Sequence, residues 1–230
     1  MESGKGKIFV IEGPDGSGKK TQATLLKEYL VSRGIQTELI SFPQYGKKSA
    51  GPVEEYLNGT YGDAKDLNPY ASAVIFAIDR FDASYKIRSL LENGTIVILD
   101  RYTDSNAAHQ GGKFQDLDKR EKFLEWLYTL EYTIFDLPKP DQTIILYVPA
   151  ATGQMLALQK EKRAYITAGK KLDGHELSLS HLTNAEHAYL WLARKDPDRY
   201  TVIECMENGA LLPKETIHEK VKAVIDRFLP

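Results

Sequence analysis

The chain has 230 residues, 42% of them hydrophobic and 27% charged, with a formal net charge of −2 at pH 7. That length suits one α/β domain with a large core, and so slight a charge excludes polynucleotide or membrane binding driven by bulk electrostatics. The single cysteine, Cys205, excludes an intrachain disulfide, no apolar run approaches membrane-spanning length, and a cytoplasmic protein starting without a signal segment is expected.

The first strand is predicted at 7–13, KIFVIEG, and runs directly into IEGPDGSGKKTQ at 11–22. Gly13, Gly18 and Lys19 have the spacing of the phosphate-binding loop G-x-x-x-x-G-K-[ST]. Composition alone would produce that spacing in roughly one chain of this length in fifteen. Here it follows a strand and opens a helix, as the mechanism requires: glycines let backbone N–H groups close on phosphate, and the helix N-terminus adds positive partial charge. Gly13, Asp15, Gly16, Ser17, Gly18, Lys19, Lys20 and Thr21 are therefore assigned to ATP, with Lys19 reaching the outer phosphates. Position 20 departs from the pattern, because Lys20 stands where a hydroxyl normally meets magnesium. An ammonium cannot ligate a metal, and on a helix this residue is turned about 100° from Lys19. Lys20 is expected to lie outside the cradle, with Mg²⁺ held by the nucleotide's phosphates and water and oriented by an acid elsewhere.

Helical periodicity continues over 19–33, and a second strand is predicted at 36–42. Asn58-Gly59 marks a turn, a helix is predicted at 69–92, and Asn93-Gly94 closes it before a strand at 95–100. That strand ends in Asp100 and Arg101, an acid and a guanidinium at the carboxyl edge of a parallel sheet, where open α/β folds bind ligands. Asp100 suits a hydrated magnesium ion, and Arg101 suits a bidentate phosphate contact. Helices at 118–132, 150–163, 176–194 and 213–228 alternate with strands at 142–148 and 200–205, which implies a parallel sheet covered on both faces. The stretch at 161–176 is the least apolar long connection, of the kind that forms lids. His181 and His187 are six apart, unlike a helical metal pair, and read as a surface or partner-facing helix; Trp126 and Trp191 read as core or dimer-interface residues. Neither G-x-S-x-G nor the guanine-reading N-K-x-D occurs.

Six stretches in order, IEGPDGSGKKTQ, FPQYG (42–46), FAIDRFDA (76–83), LDRYTDSNAAHQGG (99–112), LPKPD (137–141) and DGHE (173–176), resemble the thymidylate kinase family over about residues 7–205. The resemblance implies a P-loop three-layer α/β/α sandwich with a five-stranded parallel sheet of order 2-3-1-4-5. It also implies a lid at about 161–174, phosphoryl transfer from ATP to dTMP with Mg²⁺, and a homodimer with no nucleic-acid or membrane partner. Carried over residue by residue, Phe76 stacks on thymine and Arg80, four residues on and on the same helix face, bonds its carbonyl. Asn106, offering both a donor and an acceptor, reads the imide edge and disfavours cytosine; Asp15 accepts from the sugar 3′-hydroxyl, and Phe42, Pro43 and Tyr45 line the acceptor phosphate with Arg101. Ser105, His109 and Gln110 belong to the same acceptor site. His109 stands where the family often has an aromatic residue against the deoxyribose, and Gln44 where relatives often have arginine. Gly16, at the position of a P-loop arginine in one branch, implies the bacterial type with its catalytic arginine in the lid. Arg163 is the candidate there, among Lys160, Lys162, Lys170 and Lys171, while Gly174 replaces the usual basic residue after Asp173. The alternatives are a kinase for another (deoxy)nucleotide or a non-catalytic nucleotide-binding dimer, the latter drawing on Lys20 and Gly174.

Overall fold

The computed structural model describes residues 5–63, 66–159 and 178–229 in full, and the backbone of one helix on to Ala168. In chain order the elements are β1 (Ile8–Glu12), α1 (Lys19–Ser32), β2 (Thr37–Ser41), α2 (Gly51–Leu57), α3 (Pro69–Glu92) and β3 (Ile96–Asp100). Then come α4 (Thr103–His109), α5 (Leu117–Tyr128) with a π-helical turn over Thr129–Ile134, β4 (Gln142–Tyr147), α6 (Ala150–Ala168) and α7 (Leu179–Lys195). The chain closes with β5 (Tyr200–Glu204), a small hairpin of β6 (Met206–Glu207) and β7 (Ala210–Leu211), and α8 (Lys214–Ile225).

The five long strands form one parallel sheet in the order β2-β3-β1-β4-β5, as the resemblance implied. β1 reads IFVIE without alternation because both of its faces are covered. Phe9 and Ile11 point into a core with Leu26 and Leu30 of α1 and Val221 of α8. Ile8 and Val10 point into a second core with Ala83 and Ile87 of α3. A third cluster joins α4, α5 and α7 through Ala107, Phe123, Leu127, Ala188 and Leu192, with the half-buried Trp126 and Trp191 packed against it.

The chain leaves β1 in one direction along the sheet and leaves β3 in the other, so a crevice opens between their carboxyl ends. Ile11 pairs with Asp100 in the parallel register, which sets the P-loop and Arg101 side by side.

Several elements differ from expectation. The short helices α2 and α4 were not anticipated, since seven residues are too few to show a helical period. The 118–132 helix ends in a wider π turn, and α6 continues to Ala168, so the first half of the expected lid is helical backbone.

Candidate active site

The P-loop wraps between β1 and α1. Gly18 caps α1 in a left-handed conformation (φ 87°) and no side chain caps the helix, so its first-turn amides remain for an anion. The Ser17 hydroxyl is buried with no hydrogen-bond partner among the described residues. Gly16 (φ +81°) lies against α6, where an added Cβ would come 2.1 Å from the Gly153 carbonyl oxygen. No arginine fits at position 16 without moving that helix. Lys20 and Thr21 are both exposed, whereas Lys19 between them and Gly18 is buried.

Lys19 is buried and folds back on the loop, its Nζ donating to the carbonyls of Gly13 at 2.9 Å and Pro14 at 2.8 Å, with Asp15 at 3.7 Å. Burial, together with the nearby Arg101 cation, pushes its ammonium down to about 8.

Arg101 is the hub. Its backbone is left-handed (φ 69°), a conformation that costs a non-glycine residue roughly 1–3 kcal/mol and persists only where neighbours hold it. Its N–H donates to the Ile11 carbonyl at 3.1 Å. The next N–H, of Tyr102, donates to the Glu12 carboxylate at 2.7 Å. Glu12 also accepts from the Ser105 N–H at 3.0 Å, the Ser105 hydroxyl at 2.8 Å and the Tyr189 hydroxyl at 2.8 Å, and so replaces the missing side-chain cap of α4. Burial pushes the Glu12 carboxyl up, against the opposing charge of Arg101.

The Arg101 guanidinium pairs with Asp15 across the crevice. Burial alone would raise the Asp15 carboxyl, but Arg101 and then Lys19 more than offset it and hold it well below the usual carboxylate range. Nη1 of Arg101 donates to the Ser105 hydroxyl at 3.3 Å and to His109 Nε2 at 3.4 Å. A guanidinium only donates, so His109 carries its proton on Nδ1 and offers it to His181 Nε2 at 3.2 Å, with the rings stacked. Burial, reinforced by Arg101, holds His109 neutral, well below the usual histidine value. His181, half-buried near the start of α7, is thus joined to Arg101 through His109.

Asp100 ends β3 and is 8% exposed, and its carboxylate makes no hydrogen bond with any described residue. Among the described residues no three His, Cys, Asp or Glu side chains converge as a metal site.

The residues expected to read the base lie on α3 and α4. Phe76 is half-buried, edge-on to Tyr56 of α2 at 5.6 Å. Arg80 is buried in a two-point pair with Glu131 of the π turn, both bonds 2.6 Å. Asn106 donates through Nδ2 to the Ala73 carbonyl at 2.9 Å, which commits the donor side of an amide expected to offer both. Gln110 Oε1 is buried with no partner among the described residues. Phe42 packs into the core against Tyr102, just before a cis Phe42–Pro43 peptide, whereas Tyr45 is 63% exposed. Gln44 serves as an anchor: its N–H and side-chain amide donate to Asp79, which precedes Arg80. Arg163 and the other cations of the expected lid lie outside the described side chains.

A cleft of about 390 Å³, lined by Tyr128, Tyr132, Lys139 and Arg199, lies at the opposite edge of the sheet, where β4 and β5 begin. Arg199 there is neutralised by the buried Asp104 of α4, at 2.8 and 2.9 Å, and so steadies the acceptor helix from behind.

The family model for thymidylate kinase matches residues 11–221. The thymidylate kinase of Afipia carboxidovorans is 34% identical over 230 residues, covering 99% of this chain and 93% of that protein. That of Mycobacterium tuberculosis (strain CDC 1551 / Oshkosh) is 33% identical over 186 residues, covering 80% of this chain and 85% of that protein. Among solved structures, thymidylate kinase from Candida albicans has the same fold, with a TM-score of 0.70 at 23% identity over 97% of this chain and 92% of that one.

The depressed Lys19 ammonium gives a prediction with a definite sign. Its folded-state value lies below the ordinary one, so the apo protein has already released this proton by about pH 9, while bound phosphate would restore it. ATP binding should take up most of one proton near pH 9 and little near pH 7, so affinity falls as pH rises through about 8. Calorimetry in buffers of different ionisation enthalpy measures this directly; no uptake near pH 9 would contradict it.

Proposed function

The chain belongs to the thymidylate kinase family, phosphotransferases that convert dTMP and ATP to dTDP and ADP, and from that premise we propose how its own residues carry out the transfer. The first-turn amides of α1, the Ser17 hydroxyl and Lys19 receive the donor phosphates; the uncapped helix and the unpartnered hydroxyl support this. Arg101 takes the acceptor phosphate in bidentate fashion, the phosphate displacing the carboxylate of Asp15. Asp15, once released, accepts from the sugar 3′-hydroxyl. Phe76 stacks on the base, Arg80 and Asn106 read its edge, and His109 and Gln110 close the sugar side. Tyr45 joins the acceptor phosphate only if its loop turns inward.

An oxygen of the acceptor phosphate attacks the γ-phosphorus, the bond from γ-phosphorus to the bridging oxygen breaks, and ADP leaves. A phosphate monoester is mostly dianionic at pH 7, so the nucleophile carries no proton and needs no general base. The protein's task is alignment and charge stabilisation.

Arg163 is the arginine that closes on the transferring group in this reading, supported by the lack of room for a side chain at Gly16. A magnesium ion arriving with ATP would neutralise charge on the bridged phosphates. Asp100 suits its waters, being nearly buried and without a hydrogen bond to any described residue. Cytoplasmic operation fits the single, buried cysteine, whose thiol burial pushes up to about 12.

The observation that carries this reading is the Asp15–Arg101 pair between the two loops. A charge-assisted hydrogen bond contributes about 1.5–3 kcal/mol. Arg101→Ala should therefore lower kcat/KM for dTMP by roughly 10- to 150-fold or more, with KM for ATP little changed. In the same assay Asp100→Asn should need more Mg²⁺, and Lys20→Thr should stay active. A normal rate in Arg101→Ala, or full activity of the wild type in EDTA, would refute the assignment.

For the homodimer, support comes from α3, where Ile78, Phe81 and Tyr85 are 42%, 36% and 64% exposed at spacings of three and four residues, near Ile134 at 67%. Such a patch marks an interface. Wild type should sediment at twice 25.9 kDa and Phe81→Asp as a monomer; a monomeric wild type would remove the dimer.

A further inference from the structure

Glu131 is fully buried in the π-helical turn after α5. Turns of this kind are rare and occur frequently at functional sites. The two carboxylate oxygens of Glu131 take four donors. Oε2 accepts from Arg80 Nε at 2.6 Å and from the Thr103 hydroxyl at 2.8 Å. Oε1 accepts from Arg80 Nη2 at 2.6 Å and, at the longer distance of 3.4 Å, from Asn106 Nδ2. Burial works against the Arg80 charge, and Glu131 more than restores it, so the guanidinium remains a donor at every working pH.

These bonds decide what the two residues can offer. Arg80 is held along its Nε–Nη2 edge, so only the Nη1 side is left for a ligand. A guanidinium has no acceptor atoms, so that side can only donate. Asn106 has its NH₂ between the Ala73 carbonyl and Glu131, so only Oδ1 is left, which can only accept. The pair therefore presents one fixed donor and one fixed acceptor. Thymine and uracil match it, with O4 accepting and N3–H donating. Cytosine reverses both atoms: its 4-amino group donates and its N3 accepts.

We propose that Glu131 is the positioning residue that sets pyrimidine specificity, by fixing which sides of Arg80 and Asn106 face the base. The proposal rests on the reading that those two residues bind the base. Glu131 touches no substrate. It acts as the common clamp for two readers on separate helices, α3 and α4, through a carboxylate from a third element.

The test is the ratio of the Kd for dCMP to the Kd for dTMP, with KM for ATP as an internal control. Glu131→Gln keeps the shape but replaces one accepting oxygen with a donor, which frees Arg80 to turn. The ratio should fall at least tenfold, chiefly through weaker dTMP binding, with KM for ATP within about twofold. Glu131→Asp, one methylene shorter, should fold more readily and lower the ratio in the same direction. Thr103→Val, which removes a donor to Glu131 without touching either reader, should keep the wild-type ratio to within about threefold. A ratio unchanged in both Glu131 variants, with stability and affinity for both nucleotides reduced alike, would make Glu131 a structural ion-pair partner and overturn the proposal. Arg80→Met separates the two levels. If it shifts the ratio while the Glu131 variants do not, the base-reading assignment stands and the proposal alone fails. If Arg80→Met leaves the ratio unchanged, both fail.

Discussion

The ion pair between Asp15 and Arg101 joins the two halves of the active site, and the surrounding structure is arranged to make it possible. Asp15 belongs to the loop that follows β1, and Arg101 to the turn that follows β3. Around them Glu12, Lys19 and Asp100 are also buried. Taking charges out of water costs several kcal/mol each unless partners replace the solvent. Here the partners are alternating signs and backbone groups: Lys19 on two carbonyls, Glu12 on two amides and two hydroxyls, Arg101 on Asp15, Ser105 and His109. In the proposed reading a phosphate entering this cluster would replace a carboxylate by an anion of the same sign, so the desolvation cost would be largely met before substrate arrives. The left-handed backbone of Arg101 is held by the neighbouring strand, because its amide and that of Tyr102 bond consecutive residues of β1.

Behind the cluster, two further buried acids hold α4 in place. Asp104 binds Arg199 and the hydroxyls of Tyr128 and Tyr200, and Glu131 binds Arg80 and Thr103. Both bond across elements that share no short sequence spacing. With Glu12 in front, α4 is gripped at its first turn from three sides. That explains how a seven-residue helix, far below the length stable alone, can hold the residues of the proposed acceptor site in place.

Much of this was legible in the sequence wherever a local pattern carries the physics. Uninterrupted apolar runs gave the strands because both sheet faces are covered. The P-loop spacing placed a glycine-rich loop between β1 and α1, and helical rotation agrees with the exposure of Lys20 beside the buried Lys19. The acids that organise the site were not legible. Glu12 bonds Tyr102 across 90 positions, Arg80 bonds Glu131 across 51, and Gln44 bonds Asp79 across 35. A single sequence offers no spacing that pairs such residues. His181 was misread for the same reason: its spacing to His187 was compared within one helix, while its partner, His109, lies 72 positions away. Asn106 was read as offering donor and acceptor alike because only the fold brings the Ala73 carbonyl to its amide.

The most direct test of the central claim is a double-mutant cycle between Asp15→Asn and Arg101→Met, read as unfolding free energy of the ligand-free protein. If the pair joins the two loops as described, the two substitutions are strongly coupled, by about 2–3 kcal/mol. Additivity within about 0.5 kcal/mol would mean that the loops are held by other contacts, and would contradict the account.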